Sequence, residues 1–164
     1  MSTNDTEAGG LTEVDIEAAE AATEFVTFTI AGQLFGIHVL KVQDVLGSMK
    51  TTRVPLAPPE IAGSLNLRGR IVTAIDVRLR LGLPPQESQE VSMAIVVEHE
   101  HELYSLLVDQ VGEVLALAPD GFERNPPTLD PRFRDYSDGI YRLDKQLLVV
   151  LSVERLLDYG RVAA

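Results

Sequence analysis

The apolar positions of this chain fall into short alternating runs rather than helical stripes. FVTFTI (25–30) is dense in β-branched and aromatic residues, Ala31-Gly32 offers a turn, and QLFGIHVL (33–40) resumes the alternation, so a β-hairpin is predicted. In VLKVQDVLG (39–47) the valines Val39, Val42 and Val45 are three residues apart, which fits a helical turn or a bulged strand equally well. TTRVPLAPPEIAGSL (51–65) carries three prolines, and Pro58-Pro59-Glu60 predicts the start of a short helix that Gly63 ends. LNL (65–67) and RIVTAI (70–75) then read as two strands joined around Arg68-Gly69, where glycine takes positive φ cheaply. Asp76 is the expected N-cap of VRLRLG (77–82), which Gly82 and Pro84 terminate.

The second half follows a similar plan. MAIVVEHEHELYSLLV (93–108) predicts a hairpin with the acidic tip EHEHE, and DQVGEVLAL (109–117) follows it. APDGFERNPPTLDPRFRDYSDG (118–139) is a proline-rich connection without strong periodicity, and QLLVVLSVERLL (146–157) predicts a strand and a short helix.

The two halves rhyme. Shifted by 69 residues, GQLFGIHVLKVQDVL (32–46) lies over HELYSLLVDQVGEVL (101–115), bringing Val39, Val42 and Val45 onto Val108, Val111 and Val114. Shifted by 76, RIVTAIDVRLRL (70–81) lies over QLLVVLSVERLL (146–157), Gly63 over Gly139, and the N-cap Asp76 over Ser152. Two related units are expected, about 32–84 and 93–159, mostly β with a little helix and with room for strand exchange between them. Units this small bury too little surface to stand alone. Closure of each sheet, with the two packed together, would also remove exposed edges.

Residues 1–23 lack aromatic residues and are Ala/Glu/Thr-rich, so they read as a mostly disordered acidic tail in which Thr12 and Asp15 could cap a short helix. The folded part is expected over 24–160. Without any Cys, disulfides and Cys-based zinc sites are excluded. Neither a signal peptide nor a membrane-spanning run is evident, so a cytoplasmic protein is expected. A formal net charge of −11 argues against non-specific nucleic-acid binding. The charge is segregated: residues 50–80 hold six bases and two acids, whereas residues 81–123 hold nine acids and no Lys or Arg. Opposed faces of this kind steer partners.

Catalytic motifs are lacking. There is no phosphate-cradling glycine loop, no GxSxG and no HExxH. His99 and His101 alternate on a strand but lack the further ligands a closed metal site needs, and His38 reads as a half-buried strand residue. The conspicuous polar feature is Asn66-Leu67-Arg68-Gly69-Arg70 inside an apolar run. Read on their own, Arg68 and Arg70 either decorate a loop, pairing with Asp44 or Asp76, or present guanidinium donors to a partner at a groove between the units. A further alternative has Arg68 and Arg70 clamping a small anion.

IAGSLNLRGRIVTAIDVRLRLG (61–82) resembles the signature of the CheW-like domain family, approximately G-x-x-N-L-R-G-x-I-x-P-V-x-D-L-R. FTIAGQLFGIHVLKVQDVLG (28–47) resembles the family's opening, and the likeness runs over about residues 24–159. It implies a mainly β fold of two packed five-stranded SH3-like barrels. It also implies a non-enzymatic, cofactor-free adaptor. Such an adaptor couples chemoreceptors (methyl-accepting chemotaxis proteins) to the regulatory domain of the histidine kinase CheA, beneath membrane receptor arrays. A free-standing coupler fits a chain of this length better than a piece of the kinase.

The resemblance carries over residue by residue. Asn66, Leu67, Arg68 and Gly69 fall on the family's NLRG, whose arginine is implicated in receptor coupling with an acid of the earlier segment. That acid is Asp44 here, one methylene shorter than the usual Glu. Val42 and Gly63 fall on positions tied to partner binding, and Asp76 and Arg78 match the D-x-R as supporting residues. Thr73-Ala74 stands where the family has Pro-Val.

Overall fold

A computed structural model describes residues 22–47, 56, 58–85 and 93–158. The tail with Thr12 and Asp15, the segments 48–55 and 86–92, and the end of the chain from 159 lie outside the described residues.

The alternating runs form strands β1 (Thr23–Ile30), β2 (Gln33–His38), β3 (Val42–Leu46), β4 (Ile61–Leu67), β5 (Arg70–Asp76), β6 (Met93–His99), β7 (Glu102–Val108), β8 (Gln110–Leu117), β9 (Phe122–Glu123), β10 (Ser137–Arg142) and β11 (Leu147–Leu151). Among the described residues three single α-helical turns accompany them: α1 (Val77–Arg80), α2 (Pro131–Arg134) and α3 (Val153–Leu156). The hairpins β1–β2, β4–β5 and β6–β7 each turn on two residues of positive φ, Ala31-Gly32, Arg68-Gly69 and Glu100-His101. Turns of that hand match the twist of the flanking strands. The side chains of Asp76 and Ser152 accept hydrogen bonds from the amides of Leu79 and Arg155, capping α1 and α3 as expected.

The strands form two sheets, β8-β1-β2-β11-β10-β9 and β3-β6-β7-β5-β4. The sequence repeat survives in the registers. β2 and β11 pair in parallel with Phe35 opposite Val149, and β7 and β5 pair in parallel with Tyr104 opposite Thr73, the same partners under the shifts of 69 and 76. Both bulged hairpins break register at matching residues, Ile61/Gly63 and Ser137/Gly139. The repeat units and the sheets nevertheless divide the chain differently. The hairpin that opens each half of the chain, β1–β2 or β6–β7, pairs with the later strands of the other half. The chain crosses between sheets at the 3-10 turn Val39–Lys41 and again at Asp109, between β7 and β8.

One large cluster fills the space between the sheets, with Phe28, Phe35, Ile37, Ile75, Ile95, Leu106, Phe133 and Leu156 among its buried members. Each sheet has a small cluster of its own: Phe25, Tyr141, Leu148 and Val150 in one, Leu65, Val72 and Ala74 in the other. The shared cluster makes the domain one cooperative body.

Several details depart from the sequence-based reading. No helix begins at Pro58: the amide of Ile61 bonds the Pro58 carbonyl in a turn, and β4 starts at once because Ile61 has a partner in Ile75. Gly63 is therefore a bulge residue inside β4, with φ 152°, not a helix stop. VLKVQDVLG is both of the alternatives in order, a 3-10 turn and then a strand with a register break between Val42 and Asp44. The proline-rich connection contains α2, capped by Asp130 with Pro131 at its first position, and the two-residue β9, which makes its sheet six-stranded. His38 is exposed at the end of β2, its ring 5.2 Å from that of Phe25.

Candidate functional site

The Arg68-Gly69 turn is an exposed tip built by its own sequence. The side chain of Asn66 accepts a hydrogen bond from the Gly69 amide at 2.9 Å, and both Arg68 (φ 52°) and Gly69 (φ 84°) lie in the left-handed region. Glycine adopts that conformation freely, whereas an arginine there costs about 1 kcal/mol. Arg68 Nη2 donates to Asp44 Oδ2 at 3.0 Å. The shorter acid therefore reaches its partner. Asp44 Oδ1 also accepts from the amide of Val45, which fixes the carboxylate.

β3 and β4 are the opposite edges of their sheet, so this pair links one edge to the turn that leaves the other. Beneath it lies a pocket of about 140 Å³ lined by Gln43, Asp44, Leu67, Arg68, Arg70, Val96 and Leu103. Every one of these residues belongs to the β3–β7 sheet or its turn, so the pocket is a feature of one sheet and not of a groove between the two. Asp44 places a carboxylate inside it, which disfavours an anion held by Arg68 and Arg70. The side chain of Arg68 is 76% exposed and spends one guanidinium nitrogen on Asp44. Beside the tip, Ile71 is 76% exposed, paired across the hairpin with exposed Asn66. An arginine fork next to an uncovered apolar side chain is a composition that interface centres favour.

The other named residues lie elsewhere. Val42 is half-buried against the shared core, and Gly63 is buried at the bulge. Asp76 and Arg78 are at the far end of β5. Burial pushes the Asp76 carboxyl up from its ordinary range despite the backbone bonds it accepts. Arg78 does not pair with Asp76 but holds Asp109 through two bonds, Nε to Oδ1 at 3.0 Å and Nη2 to Oδ2 at 2.8 Å. Asp109 Oδ2 also accepts from the Ala31 amide at 2.8 Å, and the Arg78 bonds draw its carboxyl below the ordinary range. Asp109 thus ties the crossover to the first hairpin turn.

Sequence reading missed Asp109, Gln43, Val96, Leu103 and exposed Ile71. The alternation of RIVTAI does put Ile71 on the outward face, opposite in phase to buried Val72. Among the described residues no cluster of three or more metal-ligating side chains occurs, and no helix is long and apolar enough to cross a membrane.

Fold and tip together define a two-sheet, mainly β domain presenting a polar hairpin turn at the rim of one sheet. The chain belongs to the CheW-like domain family, whose model matches residues 24–161. It is 31% identical over 155 residues to the chemotaxis protein CheW of Klebsiella aerogenes, covering 94% of this chain and 93% of that protein. It is 28% identical over 133 residues to a probable chemotaxis protein CheW of Rhizobium etli, covering 81% and 86%. The crystal structure of the scaffolding protein TtCheW from Thermoanaerobacter tengcongensis matches with a TM-score of 0.75 at 28% identity, over 85% of this chain and 94% of that one.

Proposed function

We propose that this protein is a non-enzymatic scaffold of chemotaxis signalling that couples chemoreceptors to the histidine kinase CheA. The family match over residues 24–161 carries this reading, supported by full-length likeness to proteins named for chemotaxis and scaffolding. The receptor's helical cytoplasmic tip binds at the rim of the β3–β7 sheet. Arg68, pre-oriented by Asp44, offers it charge-assisted hydrogen bonds, and Ile71 and the apolar pocket wall offer contact area. Asn66, Leu67 and Gly69 hold the turn in shape, and Val42 and Gly63 hold the strands that carry it. The kinase's regulatory domain engages a separate surface. Each contact is modest, and the array supplies avidity. Signal passes as a shift between two arrangements of these contacts, in the cytoplasm beneath the receptors.

Reconstitution tests the reading. With receptor fragments and CheA, the protein is expected to raise receptor-dependent CheA phosphorylation and to co-sediment with both, while alone it turns over no ATP. Unchanged kinase output at saturating protein would refute it.

A further inference from the structure

Two ion pairs among the described residues join the first half of the chain to the second: Arg78–Asp109 and Lys41–Glu154. Both act at a crossover between sheets. Arg78 on α1 holds Asp109 at the second crossover, and Glu154 on α3 holds Lys41 at the first. Under the repeat, Arg78 corresponds to Glu154 (a shift of 76), and Lys41 lies within one position of the counterpart of Asp109 (a shift of 69). The two clasps are thus one contact built twice with the charges inverted. In both, the cation belongs to the first half and the anion to the second.

That inversion bears on a hazard specific to this topology. Each hairpin is already docked on the other unit, and the two docking registers coincide residue for residue. The β1–β2 hairpin of one molecule could therefore dock on β5 of a second molecule, in the place of β6–β7. First half would then pair with first half, and second half with second half, in an exchanged dimer. Such pairing would set Lys41 against Arg78 at one clasp and Asp109 against Glu154 at the other, like charges throughout. It would also bring two copies of Arg80 together, because Arg80 Nε donates to the carbonyl of Leu156, its own counterpart under the shift of 76. The halves differ in the same sense overall: residues 22–85 hold seven bases and four acids, residues 93–158 six bases and thirteen acids.

We infer that the two charge-inverted clasps are a specificity device: they make the surface of each half accept the other half of the same chain and reject the like half of a second copy. Opposed like charges are the usual means by which related segments are kept from mispairing.

The full-length double variant Lys41→Glu/Glu154→Lys separates specificity from stability. It keeps both clasps attractive within one chain, since positions 41 and 154 merely trade their charges while Arg78 still faces Asp109. It also makes like-half pairing attractive: the new carboxylate at position 41 would meet Arg78, and the new ammonium at position 154 would meet Asp109. After refolding from denaturant at high concentration, size exclusion with light scattering should show its dimer fraction roughly tenfold above wild type, or about 1.4 kcal/mol over four contacts. Its melting temperature should stay near wild type, and the isolated dimer should survive dilution, because exchange reverses only through unfolding. The single variant Glu154→Lys has one attractive and one repulsive clasp in either arrangement, so it should melt lower than the double variant yet dimerise about as much. Three results would overturn the inference: a double variant as monomeric as wild type, a single variant as monomeric as wild type, or a dimer that falls apart on dilution.

Discussion

Replacing Arg68 by glycine should remove receptor coupling and leave the fold as stable as before. Two effects on stability oppose each other. The ion pair with Asp44 is lost, but Arg68 is 76% exposed and Asp44 28% exposed, so the pair contributes only about 0.2–1 kcal/mol. Against this, glycine relieves the left-handed strain of Arg68 at φ 52°, roughly 1 kcal/mol, part of which returns as extra freedom of the unfolded chain. The net change should lie within about 0.5 kcal/mol, a shift in melting temperature of roughly 2 °C for a domain of this size. Binding should respond very differently. An arginine at the centre of an interface commonly contributes about 2 kcal/mol or more, a loss of roughly thirtyfold in affinity. Arg68→Lys keeps the charge without the planar fork and should fall between. Co-sedimentation with receptor fragments, receptor-dependent CheA phosphorylation and a thermal melt on the same preparations give the three readings. A glycine variant that couples normally would refute the role assigned to Arg68. One that melts more than about 5 °C lower would show the side chain to be structural.

Other expected outcomes follow from packing and charge. Gly139→Ala should cost at least about 3 kcal/mol in urea unfolding, because a Cβ there would lie 2.3 Å from Phe122 Cζ and 2.6 Å from the Glu123 carbonyl at a φ of 154°. Ser105→Ala should be neutral or stabilise by about 1 kcal/mol, since its fully buried hydroxyl has no hydrogen-bond partner among the described residues. Asp109→Asn should destabilise at neutral pH. Because Arg78 lowers the folded-state pKa of Asp109, its contribution is complete above the ordinary carboxylate range and fades as pH falls through the lowered value. The gap between wild type and Asp109→Asn in thermal melts should therefore close as pH drops from about 7 towards about 2, and a constant gap would count against the Arg78 clasp.

Strands, turns and caps were legible wherever local chemistry decides them. Alternation marked β1, β2, β5 to β7, β11 and the last three residues of β4, and Arg68-Gly69 declared a two-residue turn because glycine there relieves a backbone constraint. Asp76 and Ser152 declared helix starts by the bond their side chains make three residues on. Pro58-Pro59-Glu60 misled because proline at a helix start and proline in a turn look alike until a partner strand is known, and Ile75 decides the matter from fourteen residues away. Asp130-Pro131 carried a readable cap signal that the lack of periodicity around it obscured. At the site, the resemblance singled out Asn66, Arg68 and Asp44, but whether a carboxylate one methylene short could reach depends on how far the sheet curls, which is a tertiary quantity. Asp109 was illegible for the same reason: its three bonds come from residues thirty or more positions away.

The order in which the two sheets can be completed during synthesis follows from the exchanged hairpins. The β3–β7 sheet is built from one uninterrupted stretch, residues 42–108, and can assemble once that stretch has left the ribosome. The opening hairpin, although translated first, pairs with β8 and β11, and β11 ends at Leu151. Until residues 110–151 have been made its flanks are therefore bare, during the interval when unpaired strands are most prone to join neighbouring nascent chains.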